Sequence, residues 1–314
     1  MSATFFESCL VNTKAKGFPE PYRGKVRDVY KLESDKLAIV VTDRISAFDH
    51  IMAEAIPFKG QILNRLAAYF MQKAASVMPV HLLSVPHPNV TIARKCEAVP
   101  VEIVVRGYLA GHAWRVYKDG GRTLCGAKLP DGLKQFDKLP SPILTPTTKA
   151  KKGHDEDISP DEILIKGLVT PERWKEIEAK ALALFKMGTI TAAEKGLILA
   201  DTKYEFGIWN NELMLIDEVH TPDSSRYYYA ESYEEAKKMG TQPEQLSKEF
   251  LREWLMSQGF SGQKGQKNPT LPEDVRLDVY NKYKILFELL TGETFTPVYT
   301  NNFETTLSEI LSRE

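Results

Sequence analysis

An α+β fold is the expectation for this chain of 314 residues. Three observations carry it. Short β-branched stretches broken by turn residues fill the first hundred positions, helical stripes follow, and no internal repeat or low-complexity tract interrupts them. At about 150 residues per domain the length suggests two domains. The change of pattern near Pro100 divides them into residues 1–98 and 99–314.

Residues 22–32 read as a strand, Glu33-Ser34-Asp35 as its turn, and 37–42 as the β-branched partner. A helix over 60–77 follows, with Leu63, Leu66 and Phe70 on one face and Ile62, Ala67 and Met71 beside them. Strands return at 90–95 and 101–105, on either side of Ala98-Val99-Pro100. Asp119-Gly120-Gly121 is a turn, and 139–153, rich in Pro, Thr and Lys, has neither helical nor strand periodicity. Thr170-Pro171-Glu172 starts a helix with a capping hydroxyl, a proline in the first turn and an early acid. Trp174, Ile177, Ala181 and Leu184 form its buried stripe. Residues 197–206 and 212–219 flank Asn210-Asn211, a hairpin signal because asparagine tolerates a positive φ. Val275, Val279, Tyr283, Leu286 and Leu290 mark a late helix stopped by Gly292.

Forty-one Lys and Arg against 42 Asp and Glu give a formal net charge of −1. That balance argues against a surface given over to nucleic acid or anionic lipid, though it permits a local basic pocket. Cys9, Cys96 and Cys125 are odd in number and lack a CxxC pair, which speaks against a disulfide framework or a zinc site. The N-terminal residues lack a basic start followed by an apolar stretch, and apolar runs such as 66–71 fall far short of the roughly 20 residues of a bilayer span. The expectation is a soluble cytoplasmic protein with no membrane partner.

Several segments could carry chemistry. In Arg23-Gly24-Lys25-Val26-Arg27 a glycine beside cations lets backbone N–H groups approach a phosphate while Lys25 supplies charge; an exposed basic strand is the alternative. Neither a Walker loop nor the triple-glycine loop of kinases is present there. In 199–207 the strand period of two puts Asp201, Lys203 and Glu205 on one face and Tyr204 and Phe206 on the other. The return strand brings Asp217-Glu218. Clustered acids suit Mg²⁺, which takes one or two carboxylates plus phosphate oxygens; a solvated face with cross-strand ion pairs is the alternative. An Asn210-Asn211 turn of two residues pairs Glu205 with Ile216 and turns Asp217 away. The metal reading therefore requires a three-residue loop or a bulge.

Thr221-Pro222-Asp223-Ser224-Ser225-Arg226 offers hydroxyls and a guanidinium to a phosphate or carboxylate, although such loops also arise for conformational reasons. Arg106 ends an apolar strand and needs an internal acid or an anionic ligand. His112 and His154 are candidate acid–base groups, with a merely exposed or hydrogen-bonded imidazole as the more frequent alternative, and Lys149-Ala150-Lys151-Lys152 reads as a solvated run.

Together these segments resemble the phosphoribosylaminoimidazole-succinocarboxamide synthase (SAICAR synthetase) family. The matching stretches are Tyr22-Arg23-Gly24-Lys25-Val26-Arg27-Asp28-Val29-Tyr30, Thr42-Asp43-Arg44-Ile45-Ser46-Ala47-Phe48-Asp49 and Pro100-Val101-Glu102-Ile103-Val104-Val105-Arg106-Gly107-Tyr108. Thr145-Pro146-Thr147-Thr148-Lys149, residues 201–207, and Asp217-Glu218 through Arg226 continue them in the family's order. Phe250-Leu251-Arg252-Glu253-Trp254-Leu255 and the closing helix resemble its longer, single-chain type. The resemblance implies two lobes: a kinase-like antiparallel N-terminal lobe, and a larger ATP-grasp-related lobe with C-terminal helices, ATP lying between them.

It further implies that Lys25 and Arg27 approach the phosphates, that the backbone at Arg94 to Cys96 holds adenine, and that Glu205 and Asp217 carry magnesium. Arg106, Ser225 and Arg226 would hold the ribonucleotide, with Asp201 and Lys203 near its reactive end. Ser46, Asp49 and Lys149 would line the place where the second substrate reacts. Where many family members read Gly-Ser, this chain has Gly111-His112, so imidazole replaces a phosphate-binding hydroxyl. The implied activity joins 4-carboxy-5-aminoimidazole ribonucleotide to L-aspartate at the expense of ATP, with small molecules as the partners; a monomer is compatible with the sequence, which does not itself fix the oligomeric state. A small-molecule kinase of related fold is the rival, and a non-catalytic nucleotide-binding module fits less well.

Overall fold

The computed structural model describes residues 3–149 and 156–314, with side chains from Phe5 onward. His154, Lys151 and Lys152 lie outside the described residues. The chain forms two compact units. One takes residues up to Tyr69, His81–Lys95 and Ser247–Glu314; the other takes Phe70–Val80 and Cys96–Leu246. The division is thus not a single cut near residue 98, because the C-terminal helices pack with the first unit.

The first unit contains α1 (Ala3–Glu7), β1 (Tyr22–Arg23), β2 (Arg27–Lys31), β3 (Lys36–Val41), β4 (Ser46–Ala47), β5 (His50–Ile51), most of α2 (Lys59–Ala74), β6 (Leu82–His87) and β7 (Val90–Arg94). Its main sheet is antiparallel in the order β1-β2-β3-β7-β6. The single strand expected over 22–32 is broken: Gly24 donates its N–H to the Arg27 carbonyl at 2.7 Å, so Lys25 stands on a loop between β1 and β2.

The second unit is built on β8 (Glu97–Tyr108), α3 (Gly111–Lys118), β9 (Thr123–Leu124), β10 (Ala127–Lys128), β11 (Lys138–Thr148), α4 (Pro160–Ile165) and α5 (Pro171–Ala193). It continues through β12 (Leu197–Trp209), β13 (Glu212–Ile216), β14 (Ser225–Tyr229), α6 (Ala230–Met239) and β15 (Gln245–Leu246). The order β11-β8-β12-β14-β15 is antiparallel throughout, and β13 also pairs with β12. The stretch from 139, expected to be irregular, is strand β11. Its prolines are tolerated because it is an edge strand that needs no ladder N–H on its outer side. Pro100 lies inside β8, where the register with β12 shifts between Glu205 and Gly207.

Helix α5 begins as its sequence dictates, with the Thr170 hydroxyl accepting from the Arg173 N–H, and it buries Trp174, Ile177, Ala181 and Leu184. The chain then returns to the first unit with α7 (Glu249–Ser257), α8 (Glu273–Thr291) and α9 (Phe303–Leu311). Helix α8 buries the expected stripe and stops before Gly292. Leu307 and Leu311 of α9 join Tyr30, Ala38, Val40, Val90 and Ile92 in one apolar cluster. That burial is what ties the C-terminus to the N-terminal sheet. Among the described residues no helix is long and apolar enough to cross a membrane.

Candidate active site

Alternation along β12 sets Asp201, Lys203 and Glu205 on one face of the second unit's sheet. Register decides what stands beside each. Asp201 is opposite Arg106 of β8 and Arg226 of β14, so two guanidiniums flank one carboxylate in a row across three strands. Arg226 Nη1 donates to Asp201 Oδ2 at 2.5 Å, and Arg106 Nη1 lies 3.6 Å from the same oxygen. Arg106 also donates through Nε to the Thr145 hydroxyl of β11 at 2.9 Å. All three charged groups are buried. Burial lowers the pKa of Arg106, Asp201 opposes that shift and the Arg226 charge adds to it. Two like charges held this close to one acid are organised to receive further negative charge.

A one-residue irregularity in β12 makes this row. Leu199 pairs with Tyr227 but Asp201 with Arg226, so Ala200 is extra and the bulge brings Arg226 opposite the acid. In unbroken register Ser225 would stand there. Ser225 instead pairs with Thr202, its hydroxyl 2.7 Å from that of Thr202 and its side chain buried. The structure therefore does not bring the Ser225 hydroxyl to the face that carries Arg106 and Arg226.

Four residues along from Asp201, Glu205 is directly opposite Glu102 of β8. Lys203 bridges them, with Nζ 2.7 Å from Glu205 Oε1 and 3.0 Å from Glu102 Oε1, and Lys149 pairs with the other oxygen of Glu205. Burial and the adjacent Glu205 charge raise the Glu102 carboxyl to about 7 against the pull of Lys203. Burial works against the charge of Glu205 too, but two ammoniums outweigh it and hold that carboxyl well below its usual range. The two carboxyls are thus driven in opposite directions, Glu102 upward and Glu205 downward. For Lys203, the charges of Glu205, Glu102 and Asp217 outweigh burial and hold its ammonium above the ordinary lysine value.

The hairpin loop is not the three-residue loop that the metal reading required. Asn210 and Asn211 form a two-residue turn at φ 48° and 64°, and Glu205 pairs with Ile216. Strand β13 nevertheless ends at Ile216, and Asp217 adopts φ 67°, so strand alternation no longer governs its direction. Its charge acts on Lys203. Among the described residues no three His, Cys, Asp or Glu side chains converge as a metal site. A carboxylate pair completed by phosphate oxygens is the donor set that suits magnesium. The two ammoniums already gathered on Glu205 show that this position attracts cations.

His112, in the first turn of α3, has its Nε2 2.7 Å from Asp157 Oδ2 and is therefore engaged by an acid. The residue before it, Gly111, has φ +54°, and a Cβ there would lie 2.7 Å from an Arg226 nitrogen. Only glycine leaves that guanidinium its place.

The first unit presents its candidates differently. Lys25, exposed on its loop, pairs with Asp49, which has φ 65° in the turn of the β4–β5 hairpin that also carries Ser46. Arg44 clamps the loop by donating to the carbonyls of Gly24 at 3.0 Å and Lys25 at 3.2 Å and to Asp28 Oδ1 at 2.8 Å. Arg27 opens β2 opposite Val41. Arg94 ends β7, its N–H donating to His81 at 2.8 Å. Cys96, which the chain reaches on entering the second unit, has its Sγ 3.8 Å from Met214 Sδ.

Glu102, Thr145, Gly111 and the Arg44–Asp28 clamp are site features beyond those the sequence motifs mark. Glu102 carried a usable signal: an acid in an apolar strand, sharing Arg106's face by the period of two. The others depend on partners that are remote in sequence.

A sheet face on which guanidiniums surround one acid and lysines bridge a carboxylate pair is the equipment of an enzyme that handles anionic small molecules. The SAICAR synthetase family model matches residues 20–269. The phosphoribosylaminoimidazole-succinocarboxamide synthase of Bacteroides fragilis is 54% identical over 282 residues, 90% of each chain. The structure of SAICAR synthase from Saccharomyces cerevisiae complexed with SAICAR matches at a TM-score of 0.79 and 35% identity, over 92% of this chain and 100% of that one. A type-2 SAICAR synthetase in complex with ADP matches at a TM-score of 0.69 and 26% identity, over 88% and 100%. The chain belongs to the SAICAR synthetase family, ATP-dependent ligases of purine biosynthesis, and the small-molecule kinase alternative is not favoured.

Proposed function

We propose that the face shared by β8, β12 and β14 binds 4-carboxy-5-aminoimidazole ribonucleotide and activates its carboxylate for amide formation with L-aspartate. The observation that carries this reading is the juxtaposition, on one sheet face, of the Arg106–Asp201–Arg226 row and the Glu102–Lys203–Glu205 cluster. The first suits the anionic groups of a ribonucleotide. The second suits a phosphoryl group and the cation that accompanies it.

A carboxylate is a poor acyl donor because its leaving group would be oxide. Transfer of the γ-phosphoryl group of ATP to a carboxylate oxygen gives an acyl phosphate. The aspartate amine then attacks the acyl carbon, a C–N bond forms, the C–O bond breaks and phosphate leaves with the electron pair. Catalysis of this kind is chiefly positioning and charge stabilisation. Arg106 and Arg226 would orient the ribonucleotide, with Asp201 fixing both guanidiniums. Lys203 and Lys149 would meet the transferring phosphoryl group, and Lys25 and Arg27 the other phosphates. The backbone at 94–96 would take adenine, Ser46 and Asp49 would serve the second substrate, and His112 would donate to the substrate phosphate once released from Asp157. Asp49 or Asp201 would accept the amine proton.

Glu205 and Asp217 would hold Mg²⁺, whose charge, when bound, neutralises phosphate oxygens. Adenine and the other nucleotide phosphates would fall to the residues before 99, and the ribonucleotide and the metal to those after. The reading takes the enzyme as cytoplasmic and monomeric. An ADP complex and a SAICAR complex among similar structures support ATP and the ribonucleotide as ligands. The test is a coupled assay: turnover should need L-aspartate and release one free phosphate per amide. A phosphorylated product formed without aspartate overturns the reading.

A further inference from the structure

The β4–β5 hairpin that carries Asp49 is poorly specified by its own sequence. Phe48 and Asp49 both occupy the left-handed region, at φ 50° and 65°, in a two-residue turn that pairs Ser46 with Ile51 and Ala47 with His50. Such turns favour Asn-Gly, and a phenylalanine at positive φ is disfavoured unless its surroundings hold it there. Those surroundings come from the loop between α7 and α8.

Gln266 knots that loop with its own side chain. Its Oε1 accepts the N–H groups of Ser261 and Gln263, each at 2.9 Å, and its Nε2 donates to the Gly259 carbonyl at 2.9 Å. The knotted loop presents Gly262, at φ +78°, to the hairpin: a Cβ there would lie 2.5 Å from Phe48 Cβ and 3.0 Å from the Phe48 carbonyl oxygen. Buried Phe260 packs edge-on against Phe48 at 6.2 Å and against His50 at 5.6 Å. Asn268 Nδ2 donates to the Ile51 carbonyl at 2.9 Å.

The geometry points to residues 259–268 as a positioning element for Asp49, and through the Asp49–Lys25 pair for the phosphate-facing loop. The inference rests on the proposed role of Asp49 and extends it to residues that touch no substrate. Gly262 and Gln266 act by holding Phe48 in a backbone conformation that aims Asp49 toward Lys25. Substituting them alters the placement of that acid while every residue of the second unit's site stays intact.

The experiment uses the full-length enzyme with Q266A, N268A, D49N and the Q266A/D49N double variant. Q266A should speed hydrogen exchange of the amides of 46–51 at least about tenfold and lower kcat/KM by about ten- to a hundredfold, the scale of a misplacement near 1 Å. The double variant should be no worse than D49N alone, because the loop acts through that residue. Unchanged exchange at 46–51 in both Q266A and N268A overturns the proposal, as does a loss in the double variant equal to the product of the single losses. If D49N keeps full turnover, the assigned role of Asp49 is wrong, and with it the effect on kcat/KM. The exchange arm still decides whether the loop fixes the hairpin. Should Q266A fail to fold, N268A, whose exposed side chain makes a single bond to the hairpin, supplies the same readouts.

Discussion

The charged groups of the second unit's sheet and those of the first unit's loops are fixed in opposite ways. On the sheet, Arg106, Asp201 and Arg226 are buried neighbours on three strands, and each is located by alternation and register. In the first unit, Lys25 and Asp49 are exposed, one on a loop and one in a turn at positive φ, and both are held by remote residues such as Arg44 and Gly262. Buried pairs are costly to break because the remaining charge has no water to return to, whereas exposed pairs contribute little to stability. The sheet site therefore couples function to folding. The loop site leaves the two separable.

Removing the central acid should expose that contrast most sharply. Asp201→Ala leaves two buried guanidiniums facing each other, and urea denaturation should report a loss of about 3–5 kcal/mol together with loss of turnover. A loss below about 1 kcal/mol would mean that the row is hydrated and not structurally coupled. Next in size, Glu205→Ala and Asp217→Ala should each lower magnesium-dependent turnover by at least about 100-fold with native far-ultraviolet circular dichroism retained, and Glu205→Ala should in addition cost stability because Lys203 and Lys149 lose a buried partner. Turnover that survives both changes breaks the metal assignment.

The two units should also separate by pH. Buried Asp43 of the first unit accepts N–H groups from Gly60 and Leu10, each at 2.8 Å, yet burial lifts its pKa to about 6 from 3.8. A raised carboxyl contributes stability that is fully present below its unfolded value and is lost as pH rises through its folded value. The Asp43 contribution should therefore fade between about pH 4 and 6. Glu102 of the second unit, raised from 4.5 to about 7, extends the decline toward neutrality. Burial lowers the pKa values of His220 and His87, whose contribution runs the opposite way over the same window, so the Glu102 part is read from pH 4 to 8 as the difference between the enzyme and Glu102→Gln, which should lack the decline near neutrality. The smallest stability effect belongs to Lys25→Met, at most about 1 kcal/mol, with activity lost nonetheless. A large drop in unfolding temperature would place Lys25 among the structural residues instead.

What could be read from the chain follows the same division. The face of β12, the start and stripe of α5, the Asn210-Asn211 turn and the stop of α8 are local, and a period, a capping hydroxyl or a residue that tolerates positive φ suffices to find them. Strand β11 was missed because its prolines oppose a strand unless it lies at an edge, and edge position is a property of the whole sheet. Ser225 was expected beside Arg226 at the ribonucleotide. The bulge at Ala200 sends it to the other face. Glu102 was visible as an acid in an apolar strand, but its opposition to Glu205 needed the β8–β12 register.

Which residues carry charge, which share a strand face and where the helices begin and end follow from the amino-acid order, because those depend on neighbours within a turn or two of chain. Tertiary structure brings Arg226 rather than Ser225 to Asp201, sets Glu102 opposite Glu205, and lets a knotted loop from the C-terminal region hold Phe48 and Asp49 at positive φ. Each of those outcomes depends on strand register, burial or packing between segments far apart in the chain. They are fixed only when the competing placements are removed by the energy of the assembled core.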